Sequence, residues 1–140
     1  MSTPAQKENF LRKTIILANQ SVAHGNHPFG ALLVIDDQIV MEAENTVNTE
    51  HDVTRHAELN LVSKAVKELT LEQLSKAVLY SSTEPCLMCT GAIFWSGIKE
   101  VVYGCSKEAL AQYAGPVASD LRIEGPLLEE EGSVVHERYW

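Results

Sequence analysis

Ala77-Val78-Leu79-Tyr80-Ser81-Ser82-Thr83-Glu84-Pro85-Cys86-Leu87-Met88-Cys89 changes character halfway along. Val78-Leu79-Tyr80 is a short apolar run of the kind that makes a buried strand. Pro85 follows closely, and proline suits the first turn of a helix, where its missing N–H costs nothing. The stretch therefore reads as a strand that runs directly into a helix. Cys86 and Cys89 sit three apart at that junction, so their side chains share one face of the first turn. The partial positive charge of a helix N-terminus favours thiolate over thiol there.

Toward the N-terminus, Thr54-Arg55-His56-Ala57-Glu58 opens another helix. Thr54 is its expected cap, and Leu59, Val62, Val66 and Leu69 form its apolar stripe. Leu71 to Leu74 adds at most one further turn. Asn45 to Val53 is polar, has no period and reads as a loop. Before it, Phe29 to Ile35 is apolar throughout, Asp36-Asp37-Gln38 makes a tight turn, and Ile39-Val40-Met41 begins a second strand. This is a β-hairpin whose first strand lies inside a sheet. From Pro4 to His24 the pattern is helical, with Phe10, Leu11 or Ile15, Leu17 or Ala18, and Val22 recurring at steps of three or four. Thr3-Pro4 opens that helix and Gly25-Asn26-His27-Pro28 ends it.

Toward the C-terminus, the helix after Pro85 stops at Gly97 and Val101-Val102-Tyr103 is the next strand. Lys107 to Tyr113 is helical, Leu121-Arg122-Ile123 is a strand candidate, and Leu127 to Tyr139 has no assignment. The order α-β-β-α-β-α-β-α predicts a three-layer α/β domain with a mixed sheet. Length, and the absence of a repeat or linker, predict a single domain over residues 1–140.

Bulk properties narrow the function. An apolar fraction of 45% supports a real core, and 21% charged residues argue against disorder. A net charge of −8 opposes a broad phosphate-binding surface, so nucleic acid is not an expected partner. Met1 to Glu8 has no apolar signal core, and no apolar run approaches the ~20 residues that span a bilayer. A soluble, cytoplasmic protein with no membrane partner is expected. In such a chain a C-x-x-C pair reads as metal or redox before disulfide.

A redox pair needs neither His56 nor Glu58. One imidazole and two thiols make a ligand set for a catalytic Zn²⁺, one per chain, with the fourth position left to water or hydroxide. His56 and Glu58 are two apart and do not share a helical face. That suits His56 on the metal and Glu58 beside it as the catalytic proton carrier. Alone, the histidine would be structural and the glutamate one solvated acid among 19. The conjunction resembles the zinc deaminase pattern, which implies hydrolytic deamination of an aminated N-heterocycle. Glu58 would move a proton from water to a ring nitrogen and then to the departing amine.

The H-x-E and P-C-x-x-C motifs resemble those of the cytidine-deaminase-like zinc superfamily, and the resemblance covers about Phe10 to Cys105. It implies a three-layer α/β/α fold with a five-stranded mixed sheet and a homodimer or larger assembly. It implies His56, Cys86 and Cys89 as zinc ligands, Glu58 as proton shuttle, and the Ala57 N–H as a contact to the substrate's ring carbonyl. Pro28-Phe29-Gly30-Ala31 and Gly91-Ala92-Ile93-Phe94-Trp95 resemble segments of the guanine deaminase branch. There Phe29 would pack on the base, Trp95 would line the pocket and Asn45 would hydrogen-bond the substrate. The implied partner is a small-molecule aminated heterocycle, guanine or guanine-like.

Other readings stand beside this one. The substrate alternatives are cytosine, a nucleoside, a pterin or triazine, and adenosine in tRNA. A different class is a non-catalytic zinc domain with Cys105 as fourth ligand. Phe29 and Trp95 read equally as core, Asn45 as a turn residue, and Cys105 as a small buried residue. His24, His27, His51 and His136 read as solvent or loop histidines, and Glu129-Glu130-Glu131 as a solvated face. His136-Glu137-Arg138-Tyr139-Trp140 forms a polar, aromatic tip suited to a lid or to docking on its own subunit.

Overall fold

The computed structural model describes residues 1–115 and 121–140. Helix α1 (Pro4–Ala23) begins with a reciprocal cap in which Thr3 Oγ1 accepts from the Gln6 N–H and the Gln6 side chain accepts from the Thr3 N–H. Strands β1 (Gly30–Ile35) and β2 (Gln38–Glu44) form the expected hairpin. A one-turn helix α2 (Val47–Glu50), then α3 (Ala57–Glu68) and α4 (Leu71–Lys76), lead to β3 (Val78–Thr83). Helix α5 (Leu87–Ser96), strand β4 (Glu100–Cys105), α6 (Lys107–Ala114) and α7 (Glu129–Tyr139) follow.

The sheet order is β2-β1-β3-β4. β1 runs antiparallel to both neighbours, whereas β3 and β4 are parallel and joined through α5. Helices cover both faces. On one, Phe10 and Leu11 of α1 pack on Leu32, Val34 and Tyr80. On the other, Ala57, Leu61 and Ala65 of α3 and Ile93 of α5 close over Ala31, Leu33, Met41 and Leu79. β1 is buried almost throughout, as its unbroken apolar run predicts. α1 approaches the sheet so closely that a Cβ on Gly30 would stand 2.4 Å from the Thr14 carbonyl oxygen and 2.6 Å from Leu17 Cβ.

Several expectations are corrected. The sheet has four strands among the described residues, not five. Leu121 and Ile123 lie exposed outside any strand, so the 121–123 candidate does not form one. The polar stretch after Asn45 is not all loop. Asn45 Oδ1 accepts from the Val47 N–H, and Asn26 Oδ1 accepts from the Asn48 and Thr49 N–H groups, which winds α2 without any apolar period. α4 is longer than one turn because Thr70 and Gln73 cap it reciprocally. The inward face of α3 is Ala57, Glu58, Leu61, Val62 and Ala65. Of the expected stripe, Leu59 and Leu69 are only partly buried and Val66 is largely exposed. On α1, Thr14, Leu17, Ala18 and Ser21 face inward while Ile15 and Val22 stay half exposed. The unassigned C-terminal stretch contains α7, with three glutamates in its first turn, where the helix dipole favours them.

Candidate metal centre and active site

Two helix N-termini meet at one point. His56 is the N-cap of α3, Cys86 is the N-cap of α5, and Cys89 lies in the first turn of α5. Thr54 is therefore not the cap; its N–H and hydroxyl turn back to Asp52 Oδ1. Pro85 lies one residue before the cap rather than inside the helix. Asn60 Nδ2 donates to the Glu44 carbonyl and to Thr46 Oγ1 at 3.0 and 2.9 Å, tying the first turn of α3 to the end of β2. On the other side, the Glu84 N–H donates to the Cys105 carbonyl at 2.7 Å, and its Oε1 accepts from the Lys107 N–H at 3.1 Å. Glu84 thereby fastens α6 to the loop that carries the cysteines.

His56 Nδ1 stands 3.6 Å from each of Cys86 Sγ and Cys89 Sγ, and all three donor atoms lie within 4.8 Å of one another. Zinc bonds of about 2.3 Å to sulfur and 2.0–2.1 Å to nitrogen give a tetrahedral N···S edge of about 3.6 Å. The donor set and the N···S spacing thus fit Zn²⁺. Cys105 is not part of this group among the described residues. It is half-buried rather than buried, with its thiol 3.5 Å from the Ser106 carbonyl. Three protein donors leave one tetrahedral corner for a non-protein ligand.

Glu58 is 5% exposed, two residues beyond the histidine cap in the first turn of α3. Burial pushes its carboxyl above the usual carboxylate range, opposed by its own backbone N–H and by the Cys89 and Ser81 side chains. Burial lowers the His56 pKa, with His27 adding to the effect, so the imidazole favours the neutral form that coordinates a metal. Burial, the Glu58 charge and the Cys86 thiol together push the Cys89 thiol up. A divalent cation between these groups reverses that balance, because a coordinating thiol gives up its proton.

The remaining sequence-derived positions are spread around this centre. Ala57 is fully buried at the first position of α3, where its N–H has no acceptor within the helix. Asn45 is buried, and its Oδ1 is engaged by Val47, which leaves the amide with donors to offer. Phe29 packs on the main core, and its carbonyl accepts from the Asn45 N–H. Trp95 is 84% exposed at the far end of α5, so the core reading fails for it. It flanks a groove with Arg55, Leu59, Val66 and Ala92 between α3 and α5. A second groove of about 470 Å³ opens beside Cys86, lined by Leu87, Met88, Leu110 and Ala111. His27 and Ser81 are the site neighbours that sequence reasoning missed. The polar Ser81 directly after an apolar strand run was the available signal for the second.

Residues 4–105 match the cytidine and deoxycytidylate deaminase zinc-binding region. A probable cytosine deaminase of Schizosaccharomyces pombe is 36% identical over 149 residues, covering 94% of this chain and 90% of that protein. Guanine deaminase of Bacillus subtilis is 42% identical over 106 residues, covering 75% and 68%. The crystal structure of guanine deaminase from Bacillus subtilis superposes with a TM-score of 0.76 at 34% identity, over 95% of this chain and 94% of that one. tRNA-specific adenosine deaminases are also among the relatives. The fold, the three-donor cluster beside a buried glutamate and these likenesses lead to one conclusion: the chain belongs to the cytidine and deoxycytidylate deaminase zinc-binding family of hydrolytic deaminases, on its guanine deaminase branch.

Proposed function

We propose that this protein, as a single deaminase domain over residues 1–140, deaminates a free aminated nucleobase, guanine or a guanine-like heterocycle, and releases ammonia. The observation that carries the reading is the placement of His56 Nδ1 at 3.6 Å from both cysteine sulfurs, with the buried Glu58 in the first turn of the helix that His56 caps. His56, Cys86 and Cys89 would hold one zinc ion, which would supply the Lewis acidity that makes a water molecule nucleophilic near neutral pH. Glu58 would take one proton from that water and deliver it to the ring nitrogen next to the amine-bearing carbon as the hydroxyl adds to that carbon; it would then move the proton of the added hydroxyl to the amine, so that the C–N bond breaks, a carbonyl forms and ammonia leaves. Burial raises the Glu58 pKa, which favours keeping a proton once it is taken up. The Ala57 N–H and the Asn45 amide donate to acceptors on the base, Phe29 packs on its ring, and Trp95 borders the entrance. We place the protein in the cytoplasm as a homodimer. The likeness to Bacillus subtilis guanine deaminase supports guanine. Cytosine is the second reading, supported by the Schizosaccharomyces pombe relative matched over nearly its whole length. A net charge of −8 weighs against tRNA.

Ammonia release from guanine, cytosine, cytidine, a pterin and tRNA tests the choice. Guanine is expected to turn over fastest, and release from cytosine alone would overturn the preference. Glu58→Ala is expected to retain one zinc per chain and lose about 10²- to 10⁴-fold in kcat; full turnover in that variant sinks the mechanism.

A further inference from the structure

Asn45 is buried and fixed from several sides. Its N–H donates to the Phe29 carbonyl at 3.1 Å, its carbonyl accepts from Ser21 Oγ at 2.9 Å, and its Oδ1 accepts from the Val47 N–H at 3.0 Å. These contacts tie Asn45 to α1, to the chain entering β1 and to its own loop. None of them reaches α3, the helix that begins at the metal cluster. Asn60 makes that connection. Its Nδ2 donates to the Glu44 carbonyl at 3.0 Å and to Thr46 Oγ1 at 2.9 Å, the residues on either side of Asn45. It also stands 3.4 Å from the carbonyl of Arg55, the residue before His56. Among the described residues, no other side chain of α3 hydrogen-bonds to residues 44–46. Glu44 and Arg55 present carbonyls, so the amide nitrogen of Asn60, and not its oxygen, must face them. Asparagine is a poorer helix former than alanine or leucine, so α3 itself gains nothing from it at this position.

We propose that Asn60 is a positioning residue for Asn45. Its amide sets the distance between the end of β2, where Asn45 offers a donor to the base, and the mouth of α3, where His56 would hold the metal. The Asn60 N–H donates to the His56 carbonyl at 2.9 Å, so Asn60 stands one helical turn from that ligand. A base that spans both points needs the distance fixed, because its reacting carbon must sit at the metal while Asn45 donates to another part of the ring. Asn60 does not need to touch the substrate. Aspartate has nearly the same size and shape, and the helix dipole favours a carboxylate near the start of α3. It would turn only acceptors toward the Glu44 and Arg55 carbonyls, which opens the clamp and leaves the helix in place. This inference rests on the reading of Asn45 as a substrate contact.

The test is a double-mutant cycle on zinc-loaded protein: wild type, Asn45→Ala, Asn60→Asp and the two together, with Asn60→Ala as a second replacement. It uses whichever of guanine, cytosine, cytidine, a pterin and tRNA the wild type turns over fastest, so failure of the guanine reading leaves the cycle intact. Asn60→Asp and Asn60→Ala are expected to raise KM about tenfold, with kcat within about twofold of wild type and one zinc retained per chain. In the Asn45→Ala background the same substitutions are expected to add less than about twofold, because Asn60 acts through Asn45. A general loosening of the fold would instead cost the same factor in both backgrounds. An unchanged KM in both Asn60 variants, or an equal factor with and without Asn45, overturns the proposal alone. An unchanged KM in Asn45→Ala removes the substrate contact itself, and the proposal with it.

Discussion

Glu58 carries a charge that its buried surroundings disfavour. Burial raises its pKa above the unfolded value. Below the ordinary carboxyl range the group is neutral in both the folded and the unfolded chain, and folding carries no penalty. As pH rises through the unfolded pKa, the unfolded chain releases its proton first and the folded state loses stability, until pH passes the folded pKa. In chelator-stripped protein, Glu58→Gln is therefore expected to raise Tm by several degrees at pH 7 and to leave it unchanged near pH 4. A melting series across that range checks it, and equal shifts at both pH values would remove burial as the cause. The four residues His56, Glu58, Cys86 and Cys89 were legible because short spacings encode them. The burial of Glu58 was not, because it comes from how closely α3 lies on the sheet, which local pattern does not encode.

At the level of elements, the hairpin was read well because its signal is compositional. The turn residues Asp36 and Asp37 both adopt positive φ, 50° and 60°, as a two-residue turn with inverted twist requires. Asparagine and glycine tolerate that region better, so Asp36→Asn with Asp37→Gly is expected to stabilise the protein by about 1 kcal/mol in denaturant titrations. Gly30→Ala should do the opposite, lowering stability by about 3 kcal/mol, because the added methyl would meet the backbone of α1. An unchanged midpoint for that variant would mean α1 can move away at little cost. The buried face of α3 was misjudged for a related reason. Large aliphatics drew the stripe to Leu59, Val62, Val66 and Leu69, whereas close approach to the sheet selects the small Ala57 and Ala65 and carries Glu58 inward with them. α2 and the true cap of α3 escaped because side chains distant in sequence, such as Asn26, or local turns made by Asp52, set them. Neither leaves a periodic trace.

For the molecule as a whole, the three donor atoms join two helices of one layer at the ends where both begin. His56 belongs to α3, both cysteines belong to α5, and each helix begins at the site. Chelation should therefore lower Tm broadly, with a loss of about 4 kcal/mol at a metal concentration a thousand times Kd. Cys105→Ser should keep both the zinc stoichiometry and the Tm of the loaded protein, and loss of zinc from that variant would contradict the three-donor centre. The family and the reaction were legible in the motifs, but the sheet's extent was not. The fifth strand came from resemblance, and the described residues supply four.

The pairing of β1 with β3 sets a sequence of events for the nascent chain. Ala31 meets Ser81 across a long loop that contains His56, while Cys86 and Cys89 lie beyond that loop's end. Hairpin β1–β2 can zip up locally within microseconds, but the three donor atoms converge only after this distant closure and the docking of α5. Metal capture is thus expected late in folding, so that stopped-flow refolding with a zinc-sensitive dye should show uptake lagging behind the first gain of secondary structure.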